Sequence, residues 1–553
     1  MKLFIIDAIG PFFVGYNKRV VNWSKIPFRN LECGNHLDPI KIKMVKEAYS
    51  KFLIRISALG FNAISIDDVA HLVEFDFYPE SLKIKLREYK QLYKTIFDLT
   101  VQKGIKIFVN TDIMFFNPFI EGIVGTSIAK NTELLQEALI RVFTDFPIDG
   151  IIFRIGECDG SDVVGDFNSR LIVKTPKTAN RFIKTLLPVF EEFNQHFIFR
   201  TWTIGSYPIG DLIWNPKTFK AAFAGINSPH FIVSMKYGDT DFFSNLELNP
   251  LFYSSNFQTI LELQTRRERE CFGALPYYVG WDYEKYYKKL QLTKKLVGIS
   301  VWCQTGGWSR NKELTFIDDT SVWNELNTVA SIKIFKEGWS ANQAVEGFFS
   351  DKETLLFLEG FHNLLFKILY PKDFADKTLY FRRTRIPPLM WLSWDYVSVN
   401  PLIKALYRFS SILGRSTDVN ENDIERIRQI GLELKIGRIN FYCDTLRMLL
   451  YCSLTVSGAF SESNLMDLID QYTARFPGNN LKFKITPERR TIINLGWLMP
   501  LLIRKNSSYR LFDKIMLNGG LSRIQLSLML GFSKDHLPKF ANKRAMRPEV
   551  LFK

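Results

Sequence analysis

Short apolar runs, rich in β-branched residues, recur through roughly the first 325 positions, and segments of helical period fill the gaps between them. Residues 3–7, 63–66, 105–109, 151–154, 197–200, 231–235, 259–263 and 298–302 read as strands. Amphipathic stretches at 39–59, 82–102, 132–146, 178–193 and 284–296 read as helices, the first two stopped by Gly60 and Gly104. Strands that are apolar throughout and separated by helices belong in a parallel sheet covered on both faces. Eight such units in about 300 residues fit a (β/α)8 barrel. An open doubly wound sheet is the alternative, and no Gly-x-Gly-x-x-Gly follows an early strand to support dinucleotide binding.

The pattern changes near Val329. Residues 352–370, 401–413, 421–434 and 440–454 carry helical periodicity, broken by Pro387-Pro388 and an aromatic loop containing Trp391 and Trp394. The expected architecture is therefore α/β, a (β/α)8 TIM barrel over 1–328 followed by an α-helical C-terminal domain over 329–553. Residues 520–543 have the spacing of a helix-turn-helix, a pattern that ordinary helical hairpins share.

In a barrel, reacting groups gather where strands end, because the loops there shape the pocket. Three strand ends carry acids beside cations: Phe153-Arg154-Ile155-Gly156-Glu157, Lys236-Tyr237-Gly238-Asp239-Thr240-Asp241 and Leu261-Glu262-Leu263-Gln264. Arg200 ends another strand. Glu157, Asp241 and Glu262 are thus candidate acid and base groups of the kind glycosidic cleavage requires. An inverting enzyme separates its two carboxyls by roughly 6.5–9.5 Å to admit water. Arg154, Arg200 and Lys236 either neutralise these acids or clamp a carboxylate on the substrate, a task suited to arginine's fork. Trp202, Trp302, Trp308 and Tyr237 lie beside the same ends and serve either as rim packing or as faces for a sugar; Trp391 and Trp394 are candidates to close over the pocket.

Composition narrows the field. The net charge of +15 permits anionic partners, yet no dense basic block occurs. The nearest, Arg266-Arg267-Glu268-Arg269-Glu270, is interrupted by acids, so nucleic acid is not the expected partner. No charge-free apolar stretch is long enough to span a bilayer. The six cysteines are dispersed without zinc spacing, as are the six histidines, so a structural metal site is not expected. Asp7 interrupts the first apolar run, which argues against a signal peptide and for a cytoplasmic setting, although a signal removed beforehand would leave no trace.

The segment Lys236-Tyr237-Gly238-Asp239-Thr240-Asp241-Phe242, followed by Leu248-Asn249-Pro250-Leu251-Phe252, resembles the sixth-strand region of the α-glucuronidases of glycoside hydrolase family 67. Those enzymes have Lys-Asn-Gly-Pro-x-Asp-Phe and then Ser-Pro-Leu-Phe. Leu261-Glu262-Leu263-Gln264 is similar to the family's Glu-Phe-Gln, and Arg154-Ile155-Gly156-Glu157 falls where it has Lys-Ala-Asp-Ser-Glu, one residue longer. The resemblance implies Glu157 as general acid, Asp241 and Glu262 sharing the base role with inversion, and Arg154, Arg200 and Lys236 holding a uronic carboxylate. It implies an acidic oligosaccharide as substrate and no cofactor. Cys158 and Cys271 stand where the family has small residues, which would narrow the pocket. Alternatives are an acidic-glycan-binding barrel that does not cut, and a glycosidase for a neutral or amino sugar. On the enzymatic reading, alanine at Asp241 or Glu262 should abolish turnover and spare the fold.

Overall fold

A computed structural model describes residues 1–16, 24–125, 127–155, 165–169, 172–203, 208–238, 242–244, 246–267, 270, 273–306, 313–370, 390–392, 396–399, 404, 417–478 and 481–485. Its eight barrel strands are β1 Leu3–Asp7, β2 Ala63–Asp67, β3 Lys106–Asp112, β4 Gly150–Arg154, β5 His196–Arg200, β6 Phe231–Lys236, β7 Gln258–Gln264 and β8 Leu296–Trp302. All neighbours pair in parallel, and β1 hydrogen-bonds both β2 and β8, so the sheet closes on itself. The expected TIM barrel is the observed one, and each predicted strand lies on an observed one to within a few residues.

The helices that follow the strands are α1 Pro39–Leu59, α2 Glu80–Gln102, α3 Ile128–Asp145, α4 Pro176–Glu192, α5 Pro216–Ala222, α6 Leu251–Ser254, α7 Gly280–Leu290 and α8 Val322–Glu337. Three start alike, with a polar cap directly before a proline. Asp38, Thr175 and Asn215 accept backbone N–H bonds from the first turns of α1, α4 and α5, while Pro39, Pro176 and Pro216 preset the helical φ. The helix expected over 284–296 ends at Leu290. Leu292, which prolonged the apolar period, is 77% exposed in the following turn, and Leu296 already belongs to β8.

Two cores result. Leu3, Ile5, Ala63, Phe108, Ile152, Ile198, Ile232 and Ile260 fill the lower barrel. A much larger cluster lies between strands and helices and runs on without a break into the C-terminal part. Gly150 and Gly298 share the inward face with the first cluster. A Cβ on either would stand about 2 Å from a carbonyl of the next strand, at His196 and Leu3 respectively, so the barrel can close there only on glycine.

Beyond α8, which runs through residue 328, come α9 Ala341–Phe349, α10 Glu353–Leu369, α11 Glu421–Glu433, α12 Ile439–Ser457 and α13 Glu462–Arg475. Helical periodicity located α10, α11 and α12 and missed the short α9 and the polar α13. It also missed a three-stranded sheet, β9 Met390–Leu392, β10 Tyr396–Val399 and β11 Lys482–Lys484, whose strands are too short for a period to register. The helix expected over 401–413 and the hairpin over 520–543 lie outside the described residues. Among the described residues no helix is long and apolar enough to cross a membrane.

Candidate functional site

Side chains alternate faces along a strand, so residues two apart share one. Counting upward from the lower core places Asp7, Ser65, Asp67, Asn110, Asp112, Arg154, Arg200, Ser234, Lys236, Glu262, Gln264, Ser300 and Trp302 on the inward face, at the ends where the loops leave. Five of the sequence candidates, Arg154, Arg200, Lys236, Glu262 and Trp302, are in this set. Glu157, Asp241 and Trp308 lie outside the described residues, as do Cys158, Cys271 and Trp394 and the side chain of Trp391.

On the β5–β8 side a cation meets a carboxylate and an aromatic ring at once. Arg200 donates through Nε and Nη2 to the two oxygens of Glu262, both at 3.0 Å, and the Ser234 hydroxyl adds a bond of 2.8 Å to Oε1. The pair is almost wholly buried, and such a forked geometry is the kind that can offset the cost of burying charge. The Arg200 guanidinium lies 3.9 Å from the centroid of the Trp302 ring. Next to it, the Lys236 ammonium sits 3.5 Å from Trp202, 4.4 Å from Phe242 and 5.8 Å from Trp302. Lys236 is the strand partner of Glu262, and Ser234 of Arg200, so β5, β6 and β7 present these groups in one row. Tyr237 faces away from it and stacks on Tyr286 of α7, with centroids 3.4 Å apart.

The β2–β4 side is built from acids that sequence reasoning passed over. Arg154 stands 3.4 Å from Asp67 and 3.4 Å from Asp112 and donates to the Ser24 carbonyl at 3.0 Å. Lys25 is in ion contact with Asp112, and the Ile26 amide donates to Asp67 at 3.2 Å. Three consecutive residues of the β1–α1 connection thus strap over three successive strand ends. Burial pushes the Asp67 carboxyl above its ordinary value, with Arg154 opposing. Burial acts on Asp68 in the same sense, but His71, with Nδ1 2.7 Å from the carboxylate, outweighs it and the carboxyl sits below its ordinary value. The signal was available: Asp67 and Asp112 are an even number of residues from Ala63 and Phe108, and so share their inward face.

Asp7 has a different task. Its carboxylate accepts the amides of Cys303, Gln304 and Thr305, at 2.7, 3.1 and 2.5 Å, and so ties the exit of β8 to the end of β1. Between the strand ends there remains a space of about 20 Å³, lined by Asp7, Arg154, Arg200 and Trp302 among others. That is room for water and not for a pyranose. Among the described residues no group of three or more His, Cys, Asp or Glu is placed to hold a metal ion. Cys33, Cys303, Cys443 and Cys452 are free thiols.

No protein-family model matches the chain, and no curated protein does. Solved structures do align with it over long stretches. A mutant O-GlcNAc hydrolase from Thermobaculum terrenum aligns at 11% identity and TM-score 0.40, over 85% of this chain and 93% of that one. An exo-β-N-acetylglucosaminidase from Vibrio harveyi aligns at 11% and 0.33, over 60% and 57%. A broad-specificity endoglucanase from Clostridium longisporum aligns at 12% and 0.31, over 51% and 85%. The chain is therefore distantly similar to barrel glycoside hydrolases. None of these three is an α-glucuronidase, and likeness at this distance assigns no chemistry.

Proposed function

We propose that the protein is a glycoside hydrolase that removes a terminal uronic acid from an oligosaccharide, with inversion. The observation that carries this reading is the row on β5–β7, where Arg200, Lys236 and Glu262 stand together against the faces of Trp202 and Trp302. Aromatic faces suit the C–H surface of a pyranose, and two cations suit its carboxylate. In this scheme Glu157 protonates the leaving oxygen and Asp241 activates water, in line with the family resemblance. Both oxygens of Glu262 are engaged by Arg200, so its part is to orient that arginine and to balance positive charge growing at the anomeric carbon, more than to take a proton.

The same pairing favours a second reading, an acidic-glycan-binding barrel that does not cut, because a carboxylate held by three donors is a poor base. One experiment separates the two. The protein is incubated with a panel of uronic-acid oligosaccharides, with neutral and amino-sugar analogues alongside, and the anomeric protons are followed by NMR. Release of a β-configured uronic acid from an α-linked donor is the expected result. Binding without product supports the second reading, and cleavage of the neutral or amino-sugar analogues alone overturns the acidic substrate.

A further inference from the structure

Within the charged run Arg266–Glu270, Arg266, Arg267 and Glu270 are among the most buried charged side chains of the described residues. Arg266 holds the loop after β8, donating to the Cys303 carbonyl at 2.8 Å and to Thr315 at 3.0 Å. Glu270, wholly buried, gathers donors from three other parts of the chain. The Ser244 amide reaches one oxygen at 2.8 Å, and the Ser244 and Tyr277 hydroxyls reach the other at 3.1 and 2.9 Å. The Tyr370 hydroxyl, at the end of α10 and 100 residues away, donates to it as well. Arg267 balances the charge, 3.5 Å from Glu270 and 2.7 Å from Asp282.

These contacts bear on Phe242–Ser244, beyond β6, where the Phe242 ring lies 4.4 Å from the Lys236 ammonium. Tyr237, directly after β6, lies on Tyr286, and Ser244 is held by Glu270. Both anchors converge on Arg267, which also reaches the Tyr286 hydroxyl at 3.4 Å. We infer that Glu270 and Tyr370 are positioning residues for Phe242–Ser244, so that α10 helps to assemble the ring contacts around Lys236. That α10 serves catalysis rests on the hydrolase reading; that it helps to hold Phe242–Ser244 does not.

Two variants of the full chain, Tyr370→Phe and Glu270→Gln, test this. Amide exchange is followed by mass spectrometry in the peptides covering 237–246, with those of α12 as internal reference. Removing one hydroxyl from a buried carboxylate should speed exchange in those peptides by about tenfold, the worth of a bond to a charged group, and leave α12 unchanged. Turnover of whichever uronic oligosaccharide the wild type cleaves should fall in kcat with KM nearly constant. Unchanged exchange over 237–246 in Tyr370→Phe overturns the inference, whatever the thermal midpoint does. If Glu270→Gln fails to fold, the tyrosine variant decides alone. A wild type that cleaves nothing defeats the hydrolase reading, and the exchange result still stands.

Discussion

The two walls of the barrel mouth solve one problem in opposite ways. Each places an arginine on the inward face of a strand end, Arg154 on β4 and Arg200 on β5. Arg154 is flanked by two aspartates and covered by a strap that brings its own lysine. Among the described residues, Arg200 meets the Glu262 carboxylate in a forked contact and has a tryptophan face beside it. The acidic wall is closed over by backbone from the β1–α1 connection. The aromatic wall keeps flat apolar surface next to charge. Cations at equivalent places in a barrel thus differ in use according to what covers them.

The largest effect should come from Glu262→Ala. It takes the forked contact away from the buried Arg200 and should cost about 3–5 kcal/mol in denaturant unfolding, together with loss of turnover. The fold-sparing outcome expected from sequence held for a carboxylate standing free, and Glu262 does not stand free. A loss under 1 kcal/mol would mean that the fork contributes nothing and would erase the contrast between the walls. Lys25→Met should be milder, about 1–3 kcal/mol, since Asp112 keeps its contact with Arg154. Exchange at the Ile26 amide should rise with it; if that amide stays protected, the strap does not depend on its lysine.

The smallest effect is one of sign. Asp67 has a raised folded value, so its contribution to stability is full below 3.8, where an ordinary aspartate titrates, and is lost as pH climbs through the folded value. Asp68 has a lowered value, so its contribution is present above 3.8 and lost as pH falls through the folded value. Relative to wild type, Asp67→Asn should therefore gain stability as pH rises through the acidic range, and Asp68→Asn should lose it. Parallel slopes in urea unfolding across that range would show that the two neighbours are not held as described.

Strands and their inward parity were legible because a parallel barrel repeats one local signal eight times. Arg154, Arg200, Lys236 and Glu262 followed from it. Asp67 and Asp112 obey the same parity and were passed over, because an acid at a strand end also reads as the start of a turn. The burial of Arg266, Arg267 and Glu270 was not legible for a different reason. Arg267 and Glu270 are satisfied by Ser244, Tyr277, Asp282 and Tyr370, and nothing local announces a partner 100 residues away. The strand pairing of β10 with β11 spans a similar gap and was equally invisible.

The Asp7 bonds have a consequence for how the ring is made. They join residues 296 to 298 positions apart, and bringing such distant ends together costs about 5 kcal/mol of loop entropy. The seam between the first and last strands can be sewn only after residue 305 has left the ribosome. Until then the growing half-ring carries two naked edges, and whatever shields them during synthesis governs the yield of the finished protein.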